Sequence, residues 1–414
     1  MGDAPKSPEA LVKVLAPEGG AALESFLARS RPEAMPFSPD RLEAIANFSD
    51  RLLKHPALRG DPSAVAAAFW MRKANLVRFR EAHLARTQRR TDLLWLPVGN
   101  VFHLAPSNVD TLFLYSWALA FLCGNANVVR VSQNVPATVE AVLGALGQAA
   151  QDHPLLEDQN RFVTYEHDQA VTALFSRWCH HRIVWGGDAT VAEIRQVPLN
   201  PHASERCFAS KFSFAVFKAT AFLAAGAGQR ARMATGFFND LFGFDQAACS
   251  SPQILFWVGS PEDGAQACAQ FLDGLQAEAE RRAHDVDASK ACKRLNRAFD
   301  LALRVDVRVD LSHPAFVAVA VPSVQDLDKE ICGGGFLRTA VVPNAGAMLP
   351  FLNQRDQTVT HFGFDPTELQ EMGLAFGARG VDRLVPIGEA LNFDVVWDGF
   401  DLAEDCMRRV AIRS

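Results

Sequence analysis

LLWLPVGNVFHLAPSNVDTLFLYSWALAFLCGNANVVRVS, residues 93–132, reads as strand, turn, helix, turn and strand. Leu93–Ala105 has the apolar run of a buried strand pair, interrupted by Pro97 and Gly99. A helix is expected after Pro106-Ser107-Asn108 through about Phe121, and Gly124-Asn125-Ala126 turns the chain into the strand Asn127–Ser132. The alternation continues: Pro136–Gln151 is helical, Arg161–Tyr165 a strand, Gln169–Trp178 a helix, and His181–Trp185 a strand ending in Gly186-Gly187. Thr190–Gln196 is a further helix with Asp188 as its expected cap. Strands and helices that alternate this way build a doubly wound, mostly parallel sheet.

From about Phe212 a second series of strands begins, SFAVF, QILFWVG and FVAVAVP, with helices between them. At 414 residues the chain exceeds one ordinary core. The expected organisation is therefore a helical region over 1–90, an α/β domain over 91–211 and a second α/β domain over 212–375. A segment over 376–414 packs back on the lobes. In the first region Pro39–Lys54 and Ser63–Arg86 have helical spacing, with Val65, Phe69, Ala74 and Val77 as one apolar face of the second helix. Leu272–Leu303 is the longest helical stretch, and Gly333-Gly334-Gly335 reads as a flexible loop whose default is a plain turn.

Hydrophobic residues make up 49% and charged residues 21% of the chain, the balance of a soluble globular enzyme. The net charge of −6 argues against nucleic-acid binding. Leu112–Cys123, the most apolar stretch, is too short to span a bilayer. The N-terminal residues lack a basic stretch followed by a long apolar run, so a cytoplasmic protein is expected. Eight scattered cysteines without C-x-x-C or Cys/His ligand spacing predict free thiols and no metal. Cys179-His180-His181 alternates across a strand and reads as structural. The G-x-G-x-x-G fingerprint, the Walker loop and the G-x-S-x-G elbow are all missing.

Four segments in order carry a family resemblance: VGNVFHLAPSNVD (98–110), LCGNANVVRVS (122–132), IVWGGDATVAEIR (183–195) and FDQAACSSPQILF (244–256), with a looser match from GVDRLVPIG to WDG (380–399). Together they resemble the acyl-CoA reductase family of the bioluminescence fatty-acid reductases, a branch of the aldehyde dehydrogenase superfamily. The likeness runs from about residue 93 to the end. It implies an α/β, aldehyde-dehydrogenase-like fold of two doubly wound lobes, with 1–90 part of the cofactor lobe, 91–211 its dinucleotide-binding domain and 212–375 the catalytic domain. It also implies reduction of a long-chain acyl thioester, acyl-CoA or acyl-protein, to the aldehyde. Homo-oligomers and an acyl-protein ligase partner go with it.

Within that frame Cys249 is the expected nucleophile. It lies among small residues that let a bulky thioester approach, and a thiolate converts one activated thioester into another. A helix starting nearby would add amide donors to the sulfur. Asn108 stands where the superfamily carries its oxyanion-hole asparagine, to act with the Cys249 backbone N–H; an Asx turn capping the next helix is the competing reading. Gly186-Gly187 matches the superfamily's glycine turn against the pyrophosphate. Arg130-Val131-Ser132-Gln133 resembles the strand end that holds the adenosine ribose, commonly Lys-Pro-Ser-Glu. Gln133 replaces the acid that would repel a 2′-phosphate, so Arg130 and Ser132 suit NADPH over NADH. Aldehyde-oxidising members carry a glutamate base in the stretch matched by Phe208–Phe217 (FASKFSFAVF), which has no acid. An acyl-enzyme would then survive for reduction rather than hydrolysis. An acyl relay that never reduces, an inactive scaffold and an NAD-dependent oxidant are the alternatives.

Overall fold

A computed structural model describes residues 7–17, 22–29, 35–105 and 111–413 of the chain. They form two units, one of residues up to Ala209 together with Phe393 onwards, the other Ser210–Asn392. Residues 376–392 thus group with the second unit and 393–414 with the first.

The strands of the first unit are β1 (Lys13–Ala16), β2 (Leu93–Pro97), β3 (Asn100–Leu104), β4 (Ala126–Arg130), β5 (Asn160–Thr164), β6 (His181–Trp185) and β7 (Ser204–Phe208). Six of them form a sheet in the order β1-β5-β4-β3-β6-β7, parallel except for β1 at the edge. The chain runs from β3 outward through β4 and β5, then crosses back to β6 and β7, so the order reverses between β3 and β6. That reversal opens a crevice at the carboxyl ends of the strands, where Leu104 is level with both Arg130 and Val184. Apolar runs bounded by turns, such as ANVVR and HRIVW, fill these central positions because a parallel strand covered on both faces has no polar side. β2 is not the partner of β3 that the run Leu93–Ala105 suggested. Gly99, at φ 117°, turns β2 out of the sheet, and β2 is only half-buried.

The second unit holds β8 (Phe212–Lys218), β9 (Pro252–Val258), β10 (Arg308–Asp310), β11 (Val317–Ala320), β12 (Phe336–Val342), β13 (Asp356–Phe362) and β14 (Arg383–Pro386). Their order is β10-β11-β12-β9-β8-β13-β14, parallel apart from the β10 edge. Successive side chains alternate between two cores. Ala215, Phe217, Leu255 and Trp257 face one, Phe214, Val216, Ile254 and Phe256 the other. Most of the described phenylalanines are buried, in these two cores and in those of the first unit. The C-terminal strands β15 (Val396–Trp397), β16 (Phe400–Asp401) and β17 (Met407–Ala411) follow, and β17 pairs antiparallel with β2. A two-pronged Arg206–Asp405 contact at 2.6 and 2.9 Å ties this return to β7.

Three helical expectations change. Ser63–Arg86 is two helices, Pro62–Trp70 and Lys73–Thr87. The break at Met71-Arg72 resets the phase, so Phe69 and Val77 face solvent while Leu76 and Phe79 are buried. Leu272–Leu303 is likewise split, into Pro261–Arg281 and Ala288–Ala302. Asp188 is the first residue of the helix Asp188–Arg195, with Gly187 in the cap position. Among the described residues no helix is long and apolar enough to cross a membrane, and no cluster of three His, Cys, Asp or Glu suits a metal.

Candidate functional site

Cys249 lies in the loop between the helix Ala227–Phe242 and β9, at the amino end of the sheet. It sits in a turn rather than at a helix start, so the helix amides anticipated for its sulfur are not there. The loop is built by Gln246. Asp245 and Gln246 both take left-handed backbone angles, φ 54° and 62°, which cost side-chain-bearing residues about 1 kcal/mol or more each. What holds them is the wholly buried Gln246 side chain. Its Nε2 donates to the carbonyls of Pro252 and Phe336 at 2.9 and 3.0 Å, and its Oε1 accepts from Gly335 N at 3.0 Å. The three glycines are therefore a fixed support rather than a loose loop. Gly334 N bonds Asp245 O, and a Cβ on Gly335, at φ 84°, would stand 2.9 Å from Ala315 O.

We expect Gln246→Leu to strand three buried backbone groups at roughly 1–3 kcal/mol each. Its urea midpoint should fall well below that of the wild type, and an unchanged midpoint would contradict this account of the loop.

Two irregularities in the sheet frame Cys249. On β13, Gln357 and Thr358 together oppose Ser213 of β8, and on β9 one extra residue is accommodated against β8. Such bulges re-aim side chains at strand ends. Ser213 Oγ donates to Cys249 O at 2.7 Å and accepts from Thr358 N at 3.1 Å. Gln357, fully buried, places Nε2 3.3 Å from Cys249 Sγ. Sequence reading missed Gln357, because nothing in the run DQTVTHF marks it.

Cys249 is half-buried, as are Cys207 and Cys268. Burial pushes the thiols of Cys207 and Cys268 up to about 11 and that of Cys179 up to about 12. It raises those of Cys123, Cys332 and Cys406 as well. A buried thiol held protonated is a poor nucleophile. Cys292 is exposed on the helix Ala288–Ala302.

In the first unit, Arg130 ends β4 at the crevice. Its guanidinium stacks 4.7 Å from the Tyr165 ring centre, Nη2 reaches Tyr165 O at 3.4 Å, and Nε is buried without a hydrogen-bond partner among the described residues. A small cleft beside it is lined by His167, Asp168, Gln169, Thr172 and Glu193. An unsatisfied guanidinium N–H in a cleft at the strand ends fits an anionic or hydroxyl-rich ligand, although Asp168 and Glu193 bring negative charge to the same lining. Ser132 is half-buried and Gln133 exposed. Gly186 N donates to Phe208 O at 3.1 Å, and a Cβ on Gly186 would come within 2.9 Å of the Thr190 side chain, which would have to shift to admit one. Gly187 is exposed just before the helix. Asn108 lies outside the described residues.

Phe208 stacks on Trp185 with ring centres 3.9 Å apart, while Phe212, Phe214 and Phe217 are buried in the second unit. The acid-free stretch is spent on packing.

Comparison with known proteins agrees with this architecture. The model of the acyl-CoA reductase (LuxC) family matches residues 82–409. A long-chain acyl-protein thioester reductase of Aliivibrio fischeri is 24% identical over 315 residues, covering 71% of this chain and 61% of its own length. One from Photorhabdus laumondii is 25% identical over 298 residues, covering 70% and 58%. The chain thus spans about three fifths of the length of these relatives. Among solved structures, aldehyde dehydrogenase 21 of Physcomitrella patens superposes with a TM-score of 0.63 at 11% identity, covering 95% of this chain and 88% of that one. PnpE of Pseudomonas sp. WBC-3 gives 0.61 at 14% identity, covering 91% and 86%. The likeness at such low identity concerns the fold, whereas the family match spans most of the sequence. This chain belongs to the LuxC acyl-CoA reductase family and carries it on an aldehyde-dehydrogenase-like α/β fold.

Proposed function

We propose that the chain reduces a long-chain acyl thioester, carried on CoA or on a protein, to the aldehyde with NADPH, through an acyl group held on Cys249. The observation that carries this reading is Cys249 itself: a half-buried thiol on a rigidly braced loop, with an amide donor 3.3 Å from its sulfur. Family membership and the thioester reductases among its relatives support the substrate class. PnpE has been crystallised in complex with nicotinamide adenine dinucleotide, which supports the cofactor class.

In this mechanism Cys249 Sγ, as the thiolate, attacks the acyl carbonyl carbon. An S–C bond forms and the donor's C–S bond breaks, releasing the donor thiolate. Asn108 and the Cys249 N–H are the proposed donors to the carbonyl oxygen. Arg130, Ser132, Gly186 and Gly187 would hold a nicotinamide dinucleotide, which supplies hydride when bound. The thiohemiacetal left on Cys249 expels the sulfur as thiolate and releases the aldehyde. In these terms residues 91–211 serve the cofactor and 212–375 the chemistry. A homo-oligomer working beside an acyl-protein ligase in the cytoplasm belongs to the same proposal.

The test is to incubate the protein with a panel of acyl-CoAs and NADPH or NADH while following cofactor oxidation and aldehyde. Acylation of Cys249 with no binding of NADPH would favour the acyl relay. Within this reading NADPH should bind more tightly than NADH, and Arg130→Ala should narrow the gap by roughly ten-fold or more, the worth of a charge-assisted contact. Equal dissociation constants in the wild-type protein would overturn the assignment of Arg130.

A further inference from the structure

The amide beside Cys249 belongs to a longer chain of hydrogen bonds with one direction. Arg383 Nε donates to Thr358 Oγ1 at 3.0 Å, Thr358 Oγ1 donates to Gln357 Oε1 at 3.3 Å, and Gln357 Nε2 donates to Cys249 Sγ at 3.3 Å. Arg383 enters from β14, where it is in register with Thr358 of β13. The bulge at Gln357-Thr358 is what allows these neighbouring residues to meet, since in a regular strand they would point to opposite faces. Both side chains are fully buried.

The direction follows from the donor inventory. A guanidinium can only donate, so Thr358 must accept from it and turn its own hydrogen elsewhere. That hydrogen needs an acceptor, which the Gln357 amide oxygen supplies, leaving the NH2 end toward sulfur. Arg383 is itself held by the carbonyls of Ala390 and Asn392, at 2.5 and 3.0 Å, so its place in the relay is fixed. Chains of this kind strengthen as each bond polarises the next.

We propose that Gln357 is a positioning residue for Cys249, locked donor-end-first by Thr358 and Arg383, and that this relay holds the nucleophile as an oriented thiolate. An amide suits a reductase: it stabilises sulfur's negative charge without offering a carboxylate that could activate water. The inference rests on Cys249 being the nucleophile, and it adds Gln357 and Thr358, which the sequence motifs do not contain.

The charged groups around the relay are paired. Asp356, next to Gln357, bonds Lys329 at 2.5 Å, and Asp382, next to Arg383, bonds Lys211 at 2.7 Å. Asp240, which also feels Arg383, accepts from Gly388 N and Ala390 N, and burial pushes its carboxyl up to about 7. It titrates inside the window of interest, so the reading must come from Cys249 itself.

The experiment measures the rate of iodoacetamide alkylation of the full chain against pH, resolved at the Cys249 peptide by mass spectrometry, with no acyl donor present. Gln357→Leu should raise the apparent pKa of Cys249 by about one to two units, the worth of a hydrogen bond to a charged group. At neutral pH the reaction should be slower, by up to about ten- to hundred-fold. Gln357→Glu should shift it further, because a carboxylate opposes the thiolate. Thr358→Val, close in size and without the hydroxyl, should shift it in the same direction by less, and it decides the matter if the Gln357 variants fail to fold. Superimposable profiles for wild type and a folded Thr358→Val or Gln357→Leu protein would overturn the relay. If instead the shifts occur but neither acyl-CoA nor an acyl-protein thioester ever labels Cys249, the relay stands and the proposed function fails.

Discussion

Replacing Cys249 with alanine is expected to abolish both the covalent acyl adduct and aldehyde formation while leaving dinucleotide binding intact. The whole of the proposed chemistry passes through one sulfur, so no residual route is expected above the uncatalysed rate. Six of the other seven thiols are raised by burial, and so are held in the unreactive form at neutral pH. The seventh, Cys292, is exposed on a helix surface and serves as the control. Labelled acyl-CoA followed by intact-protein mass spectrometry reads the adduct, and cofactor fluorescence reads binding. Persistence of an adduct in Cys249→Ala would move the nucleophile elsewhere, with Cys292 the first place to look. Removing the sulfur strands the buried Gln357 amide at roughly 1–3 kcal/mol, while the loop keeps its bracing by Gln246 and by the Cys249 backbone.

The second large effect concerns the lifetime of the acyl-enzyme. Water attack on a thioester needs a positioned base, whereas hydride attack does not. The stretch 208–217 contains no Asp or Glu, and its phenylalanines are stacked or buried. The nitrogen at 3.3 Å from Cys249 Sγ belongs to an amide. Acyl-Cys249 formed without cofactor should therefore persist on the order of 10²–10⁴ times longer than it would beside a competent base. A short pulse of acyl-CoA should leave an adduct that NADPH clears as aldehyde. Decay to free fatty acid with no cofactor present would mean that another base serves the site, and the protein would be better described as a thioesterase or an aldehyde oxidant.

Much of this was readable along the chain, because it depends on neighbours in sequence. The alternation of apolar strand and amphipathic helix over residues 93–211 declares the doubly wound sheet, since period and length are local properties. The proposal of Cys249 as nucleophile starts from the family resemblance of its segment, a thiol among small residues in a turn that opens a strand. The local rules failed where the chain made a choice they do not encode. Met71-Arg72 breaks a pattern that looks continuous, and Gly99 sends β2 away from β3 to pair with β17, more than three hundred residues later. The environment of the sulfur lay wholly beyond them. Gln357 is 108 residues from Cys249, in a strand of ordinary composition, and it points at Sγ because a one-residue bulge rotates it there. Arg383 reaches it only because β14 pairs in register with β13. A hydrogen bond is lost within about half an ångström, so which donor meets the sulfur is settled by strand order, register and bulges. Residue type and spacing decide which chemistry the chain can hold; the packing of distant strands decides which atoms face it.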